Sequence, residues 1–244
     1  MRKDAIKNRL RRCWAWLRGV GNSGLTPELP AQPYPVSLPN GRPVFVVVEG
    51  THDIEFLKRI SAMLHRQDHA IPDLASTEAS GKLVFVPFGG GDIRPWAFRL
   101  AGTVSPEVHI YDAEVPPETE IRQQVARIIN LRPACRAFVM KRRSLDHYLD
   151  SQSIFEACGV WVDVPDQEDV VEVIARSKHQ QHDPQIAWEQ IPARSRKRRR
   201  DKIKRKLNTV AAESMTAERL ARIDPDGEIH VWLATIAQFA AGRE

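Results

Sequence analysis

The sequence has few cysteines and no long apolar run, and both absences exclude classes of protein. The 244-residue chain contains three cysteines, Cys13, Cys135 and Cys158, with no CxxC pair among them. This spacing argues against a disulfide scaffold or a zinc module and suggests a reducing, cytoplasmic environment. No apolar run is long enough to span a bilayer, and the N-terminus lacks the continuous apolar core of a secretory signal. We therefore expect a cytoplasmic protein with no membrane partner.

Nucleotide-binding loops are also missing from the sequence. The phosphate-binding pattern GxxxxGK[ST] does not occur, and no GxGxxG follows a predicted strand. The glycines Gly89, Gly90 and Gly91 therefore predict a tight turn, or a place where the backbone approaches a ligand closely, and not an ATPase loop.

Positive charge is concentrated rather than spread. The formal net charge is only +5, but nearly every residue from Arg194 to Lys206 is Lys or Arg. Such a run is often just a solvated face, yet its density favours contact with the phosphates of a nucleic acid. A second basic group follows the fourth predicted strand. The predicted nucleic-acid-binding residues are Lys141, Arg142, Arg143, Arg196, Lys197, Arg198, Arg199 and Arg200.

Apolar segments alternate with helical patterns between residues 42 and 165. The strand-like segments are PVFVVVE, KLVFVPF, EVHIYDAE and CRAFVMK. The segments that follow them predict helices, among them IRPWAFRLAG (93–102) and SLDHYLDSQSIFEACG (144–159). This alternation predicts an α/β fold, with a compact, Rossmann-like parallel sheet flanked by helices. Residues 166–244 predict a mostly helical, basic C-terminal extension.

The sequence of residues 1–41 predicts a basic helix followed by a Pro-rich linker. An apolar stripe on the helix consists of Ile6, Leu10, Trp14 and Leu17. The stripe is consistent with packing on the rest of the chain or on a partner. Contact with a membrane surface or with nucleic acid is the alternative.

Carboxylates stand where the predicted strands end. Because parallel strands bring their carboxyl ends to one edge of the sheet, these side chains should meet there. Any one of them could be a helix cap or a turn residue. Several together would repel each other unless a divalent cation is bound, such as Mg²⁺ or Mn²⁺. Two such ions about 4 Å apart can drive phosphodiester cleavage. The predicted metal ligands are Glu49, Asp53, Asp112, Glu114 and Asp146.

Four segments in this order resemble a TOPRIM domain, and they are most similar to the OLD (overcoming lysogenization defect) family of nucleases. The segments are VVVEGTHDIEFLKRI, FGGGDIRPWAFRLAG, IYDAEVPP and FVMKRRSLDHYL. The resemblance implies metal binding by Glu49 with Asp53, by Asp112 with Glu114, and by an acid at Asp146. It also implies a downstream lysine, matched by Lys206 or else by Lys202 or Lys204. Glu49, Asp112 and Lys206 are the predicted catalytic residues.

Two acidic positions depart from the family pattern. Asp146 is one methylene shorter than the usual Glu, and Glu114 replaces the second Asp of the usual pair. We therefore carry two hypotheses: a metal-dependent endonuclease acting on DNA or RNA, and a non-catalytic nucleic-acid-binding subunit with a degraded TOPRIM site.

The resemblance also implies a partner and a division of the chain. OLD-family nucleases commonly carry an ATPase, so the resemblance implies a separately encoded ATPase as partner and a role in defence against phage or mobile elements. The predicted units are a basic helix and linker (1–41), a TOPRIM-like catalytic domain (42–165) and a helical basic subdomain (166–244).

Overall fold

The structure is a computed structural model that describes residues 41–242. The helix predicted over residues 1–19 and the linker after it lie outside the described residues. The division of the chain at residues 41 and 165 stays a prediction.

A four-stranded parallel sheet forms the centre of the described chain. Its strands lie in the order β2-β1-β3-β4, and every neighbouring pair is parallel. Valines dominate β1, and four of its five residues are buried, as expected for a strand covered on both faces. The strands are β1 (Val44–Val48), β2 (Leu83–Pro87), β3 (Glu107–Tyr111) and β4 (Cys135–Val139).

Helices connect the strands and make up the C-terminal part. Short 3₁₀ turns lie at Arg94–Ala97, Leu145–Tyr148 and Trp188–Gln190, and a π-helical turn, Leu207–Ala211, joins α6 to α7. The helices are α1 (Thr51–His65), α2 (Leu74–Ala79), α3 (Glu118–Asn130), α4 (Ser151–Cys158), α5 (Val170–His182), α6 (Ala193–Lys206), α7 (Ala212–Ser214), α8 (Ala217–Ile223) and α9 (Glu228–Ala240). The predicted fold class, a parallel α/β sheet with flanking helices and a helical C-terminal part, is confirmed.

The two faces of the sheet are buried in separate apolar clusters. Alternate residues of β1, such as Val46, face a large cluster that includes α1 and reaches Trp232 of α9. Tyr111 and Ala137 face the opposite way, against residues of α3 such as Val125. The C-terminal helices therefore help to cover the sheet, and they come close to its functional edge.

The structure differs from the predicted elements in three places. The segment predicted as a helix over residues 93–102 contains only the turn Arg94–Ala97. The helix predicted over residues 144–159 is divided, because Asp150 starts a new helix by accepting a hydrogen bond from Ser153 N at 2.9 Å. Helix α2 was not predicted.

Within residues 41–242, no helix is both long and apolar enough to cross a membrane.

Candidate metal centre

The site lies where the chain changes direction across the sheet. After β1 the chain goes to β2 on one side, then returns to place β3 on the other side of β1. In open parallel sheets, ligands bind at the carboxyl edge beside such a switch point. Glu49 directly follows β1, and Asp112 directly follows β3. The topology therefore brings these two carboxylates to neighbouring strand ends.

Three carboxylates meet at this edge. Oxygen atoms of Glu49, Asp112 and Glu114 all lie within 4.8 Å of one another, so these side chains could hold a metal ion. Glu114 has a left-handed backbone, with φ of 58°, and its N–H donates to Arg143 O at 3.0 Å. A residue other than glycine rarely adopts this conformation, and residues held in it tend to cluster at functional sites.

Asp53 belongs both to the start of α1 and to the carboxylate cluster. Its Oδ2 accepts a hydrogen bond from Gly50 N at 2.7 Å, which fixes the side chain in the first turn of the helix. Burial raises its pKa above the usual value, and the charge of Asp146 adds to this, while Lys204 opposes it. The Asp53 side chain therefore both stabilises the start of α1 and contributes negative charge to the candidate metal centre.

Asp146 is held by two residues of the C-terminal helical segment. Lys204 Nζ lies 2.7 Å from Asp146 Oδ2, and Asn208 Nδ2 donates to Asp146 Oδ1 at 3.0 Å. Burial by itself would lower the pKa of Lys204, but the carboxylates, led by Asp146, outweigh burial and raise it above its ordinary value. Lys204 is therefore a permanent cation of the site at neutral pH.

Asp112 is the carboxylate whose charge is least compensated. It is 8% exposed, and it has no hydrogen bond or ion pair within the described part of the chain. Burial, and then the charges of Asp53 and Glu49, raise its pKa well above the usual range for aspartate.

Arg122 is a second cation of the site, and the sequence analysis missed it. Its Nη2 lies 3.6 Å from Glu49 Oε2 and 3.5 Å from Glu114 Oε1. The side chain is buried, yet Nη1 has no hydrogen-bond partner among residues 41–242. A sequence signal was present, because Arg122 lies on the apolar stripe of α3 with Val125 and Ile129.

Asn208 was also missed. It is fully buried in the π-helical turn beside Leu207 and Ala211. A buried amide in an otherwise apolar turn is a weak signal by itself. Turns of this kind are rare and occur frequently at functional sites.

The donor set fits a hard divalent cation. The charges of Asp53 and Asp146 add to those of the three clustered carboxylates, against the two cations Lys204 and Arg122. Glu49 Oε2 is buried and accepts no hydrogen bond from the described residues, so it retains a free lone pair. Oxygen ligands with excess negative charge are those that Mg²⁺ and Mn²⁺ prefer. At Gly90, a Cβ would lie 3.6 Å from Glu49 Oε1, which is ordinary van der Waals contact, so the φ of 76° and not a lack of space favours glycine there.

The lysines that could match the one implied by the family resemblance do not all lie at the carboxylates, and the catalytic role of Lys206 stays a prediction. The structure places Lys204 against the carboxylates, whereas Lys206 Nζ donates to Ala157 O at 2.9 Å, at the end of α4. Lys202 and Lys206 both line a separate cavity. They are four residues apart, and Lys204 faces another side of the helix, because an α-helix turns once every 3.6 residues.

The basic residues after β4 make contacts within the protein. Lys141 Nζ pairs with Asp226 at 2.7 Å, and Arg142 Nη1 pairs with Asp166 at 2.8 Å. Arg143 Nη1 donates to Gln167 O. Nucleic-acid contact by Lys141, Arg142 and Arg143 stays a prediction.

The basic run lies almost wholly on α6. Ile203 is its buried residue, so most of the charged side chains face outward. Arg200 pairs with Asp169 at 2.8 Å, Lys197 pairs with Asp201 at 2.9 Å, and Arg199 contacts His179. Arg198 is exposed and has no partner within the described chain. Contact of this run with nucleic acid also stays a prediction.

Comparisons with known proteins were made for the whole chain. No protein-family model matches it, and no curated protein matches it. Among solved structures, the chain is similar to the C-terminal region of the OLD protein of Xanthomonas campestris pv. campestris, a structure phased with iodine. The two share 15% sequence identity over 83% of this chain and 97% of that chain, with a TM-score of 0.48. The function proposed below rests on this chain's own side chains and not on that similarity.

Proposed function

We propose that this chain is a divalent-metal-dependent endonuclease that cleaves the phosphodiester bonds of DNA or RNA. The observation that carries the proposal is the convergence of Glu49, Asp112 and Glu114 at the switch point of the sheet, with their oxygens within 4.8 Å of one another. Carboxylate clusters at this edge of a parallel sheet suit metal-assisted phosphoryl chemistry.

Glu49, Asp112 and Glu114 would hold the metal, with Asp53 and Asp146 beside them. We assign Mg²⁺ or Mn²⁺, and two ions, because the five carboxylates outnumber the cations Lys204 and Arg122 by more negative charge than one divalent ion neutralises. Bound there, the ions would supply Lewis-acid activation of the scissile phosphate and of the attacking water.

We assign to Lys204 the stabilisation of the negative charge that develops on the reacting phosphate. Its raised pKa keeps it protonated, and its contact with Asp146, itself held by Asn208, fixes the ammonium in place. A preorganised cation beside the reacting phosphate stabilises the transition state more than the ground state. Asp146, although shorter than glutamate, is therefore useful here as the residue that positions Lys204.

Arg122 is assigned to phosphate binding. Its Nη1 is a buried donor without a partner in the described chain, and leaving such a donor unpaired costs about 1–3 kcal/mol. A phosphate oxygen of the substrate would satisfy it. Arginine is well suited to this because its planar fork matches phosphate geometry.

We assign to the basic face of α6 the binding of the nucleic-acid phosphate backbone. Lys204 lies on the same helix, so a strand held by the outward-facing cations of the run would pass near the carboxylates. Phosphate contacts of this kind hold the polymer without reading its sequence.

A separately encoded ATPase remains part of the proposal as a partner, and defence against phage or mobile elements as the setting. The supporting observation is the resemblance of its motifs to OLD-family nucleases, which commonly carry an ATPase.

The decisive experiment is cleavage of plasmid DNA, single-stranded DNA and structured RNA by the purified chain with Mg²⁺, Mn²⁺ or EDTA. We expect metal-dependent cleavage of at least one substrate and its loss in Glu49→Gln. Glu213→Gln makes the same change at an exposed position and should cut normally. If the wild-type chain binds nucleic acid but cuts none of these substrates with either metal, the non-catalytic alternative replaces the proposal.

A further inference from the structure

A cavity of about 400 Å³ lies between α5 and α6, next to the end of α4. Its volume is within the range of small-molecule sites, roughly 300–1,000 Å³. The carboxylates of the candidate metal centre do not line it. It is therefore a separate feature of the molecule.

The rim of the cavity is strongly cationic. Lys178, Arg199, Lys202 and Lys206 line it, against a single carboxylate, Asp183. Asp183 is itself shared, because its Oδ2 lies 3.8 Å from Arg199 Nη2. Like charges gathered at one cavity repel one another, and an anion relieves that repulsion.

Two of the lysines are held in place by the end of a helix. Lys206 Nζ donates to Ala157 O at 2.9 Å, and Lys178 Nζ donates to Cys158 O. The carbonyls at the C-terminus of α4 attract cations, so both ammonium groups are preorganised. Each ammonium has three donors, and one carbonyl uses only one of them.

Lys202 supplies a cation without a partner. It is exposed, and within residues 41–242 it has no hydrogen bond or ion pair. An anion in the cavity would therefore gain Lys202 without displacing a protein group.

The inner part of the cavity is apolar. Cys158, Ala175 and Ile203 line it and are at most 5% exposed. A free inorganic ion would gain no favourable contact with this apolar surface. A cationic rim above an apolar wall suits a ligand that combines a phosphate with a less polar body.

We propose that this cavity binds a small phosphorylated ligand of mononucleotide size, with its phosphate on Lys178, Lys202 and Lys206 and its less polar part against Ala175 and Ile203. The site does not depend on the nuclease assignment, because it shares no residue with the metal centre.

The test is titration calorimetry of the full chain in EDTA with adenosine monophosphate, inorganic phosphate and adenosine. We expect one adenosine monophosphate per chain, weaker binding of phosphate and none of adenosine. Lys202→Gln should weaken the nucleotide about tenfold to a hundredfold, as expected for one hydrogen bond to a charged group. Lys197→Gln removes the same charge from the same helix but lies outside the cavity, and it should bind normally.

Two further variants sharpen the result. Asp183→Asn should bind the nucleotide more tightly, because it removes the competing carboxylate. Asp112→Asn should bind it as the wild type does, which separates this site from the metal centre.

Three results would overturn the proposal. One is no binding of adenosine monophosphate to the wild-type chain. Another is equal weakening by Lys202→Gln and Lys197→Gln, which would indicate general attraction to the basic helix. The third is binding of a 5′-phosphorylated oligonucleotide but not of the mononucleotide, which would make the cavity part of a polymer path.

Discussion

Replacing Asp112 with Asn should stabilise the metal-free protein. Asp112 is buried without a partner in the described chain, and burial, followed by the charges of Asp53 and Glu49, raises its pKa well above the usual range. Leaving a buried polar group without a partner costs about 1–3 kcal/mol. Removing this charge should therefore raise the free energy of unfolding by about 1–3 kcal/mol at about pH 8 in EDTA.

The pH dependence of this effect has a definite sign. A raised pKa means that the folded protein keeps its proton to higher pH than the unfolded chain, in which aspartate titrates near about 3.9. The stability of the metal-free protein therefore falls as the pH rises from that value through the raised pKa. Asp53 and Glu114, whose pKa values are also raised chiefly by burial, act in the same direction. The wild type and Asp112→Asn should converge near about pH 4 and separate as the pH rises.

Urea unfolding in EDTA measures the stability of the metal-free protein. Unfolding with Mg²⁺ or Mn²⁺ measures how much a bound metal stabilises it. A metal at about 100 times its dissociation constant should stabilise the wild type by about 2.7 kcal/mol, and Asp112→Asn should gain much less. The exposed Asp163→Asn is the matched control and should behave as the wild type does. The reasoning fails if Asp112→Asn is destabilised in EDTA, or if metal stabilises it as much as the wild type.

Two other predictions concern the basic residues of α6. Lys204→Met should lower the cleavage rate by about 10²–10³-fold, as expected for loss of one preorganised group at the developing charge, while Lys206→Met should cut at close to the wild-type rate. Single-turnover kinetics measures this, and a larger loss in Lys206→Met would return the catalytic role to that residue. The pair Arg196→Gln and Arg198→Gln should weaken nucleic-acid binding alike for all sequences and flatten the dependence of log affinity on log salt by roughly one unit per lost phosphate contact. An unchanged salt slope would mean that these arginines serve another purpose.

The strands and their carboxylate tips could be predicted from the sequence because both depend on local patterns. An apolar run as dense as that of β1 must be buried on both faces, and alternation with helices makes such strands parallel. Parallel strands end at the same edge, so Glu49, Asp112 and Glu114 had to lie near one another. The order of residues along the chain was sufficient for this conclusion.

The remaining residues of the candidate site depended on how helices rotate against the sheet. A change of one residue in a helix moves a side chain by about 100° around the axis. Burial of Ile203 and Leu207 sets the rotation of α6, and this rotation turns Lys204 toward Asp146 and Lys206 toward Ala157. A run composed mostly of lysine and arginine contains little local information about which cation faces inward.

The cations and the cavity likewise come from contacts between distant segments. Arg122 is 73 positions from Glu49 in the chain numbering, and the cavity forms only where α5, α6 and the end of α4 meet. Sequence patterns report which residues prefer to be buried, but not which buried groups face each other. The sequence alone thus determined the sheet and its acidic edge, and packing between separate elements decided which cations compensate that edge and where the cavity forms.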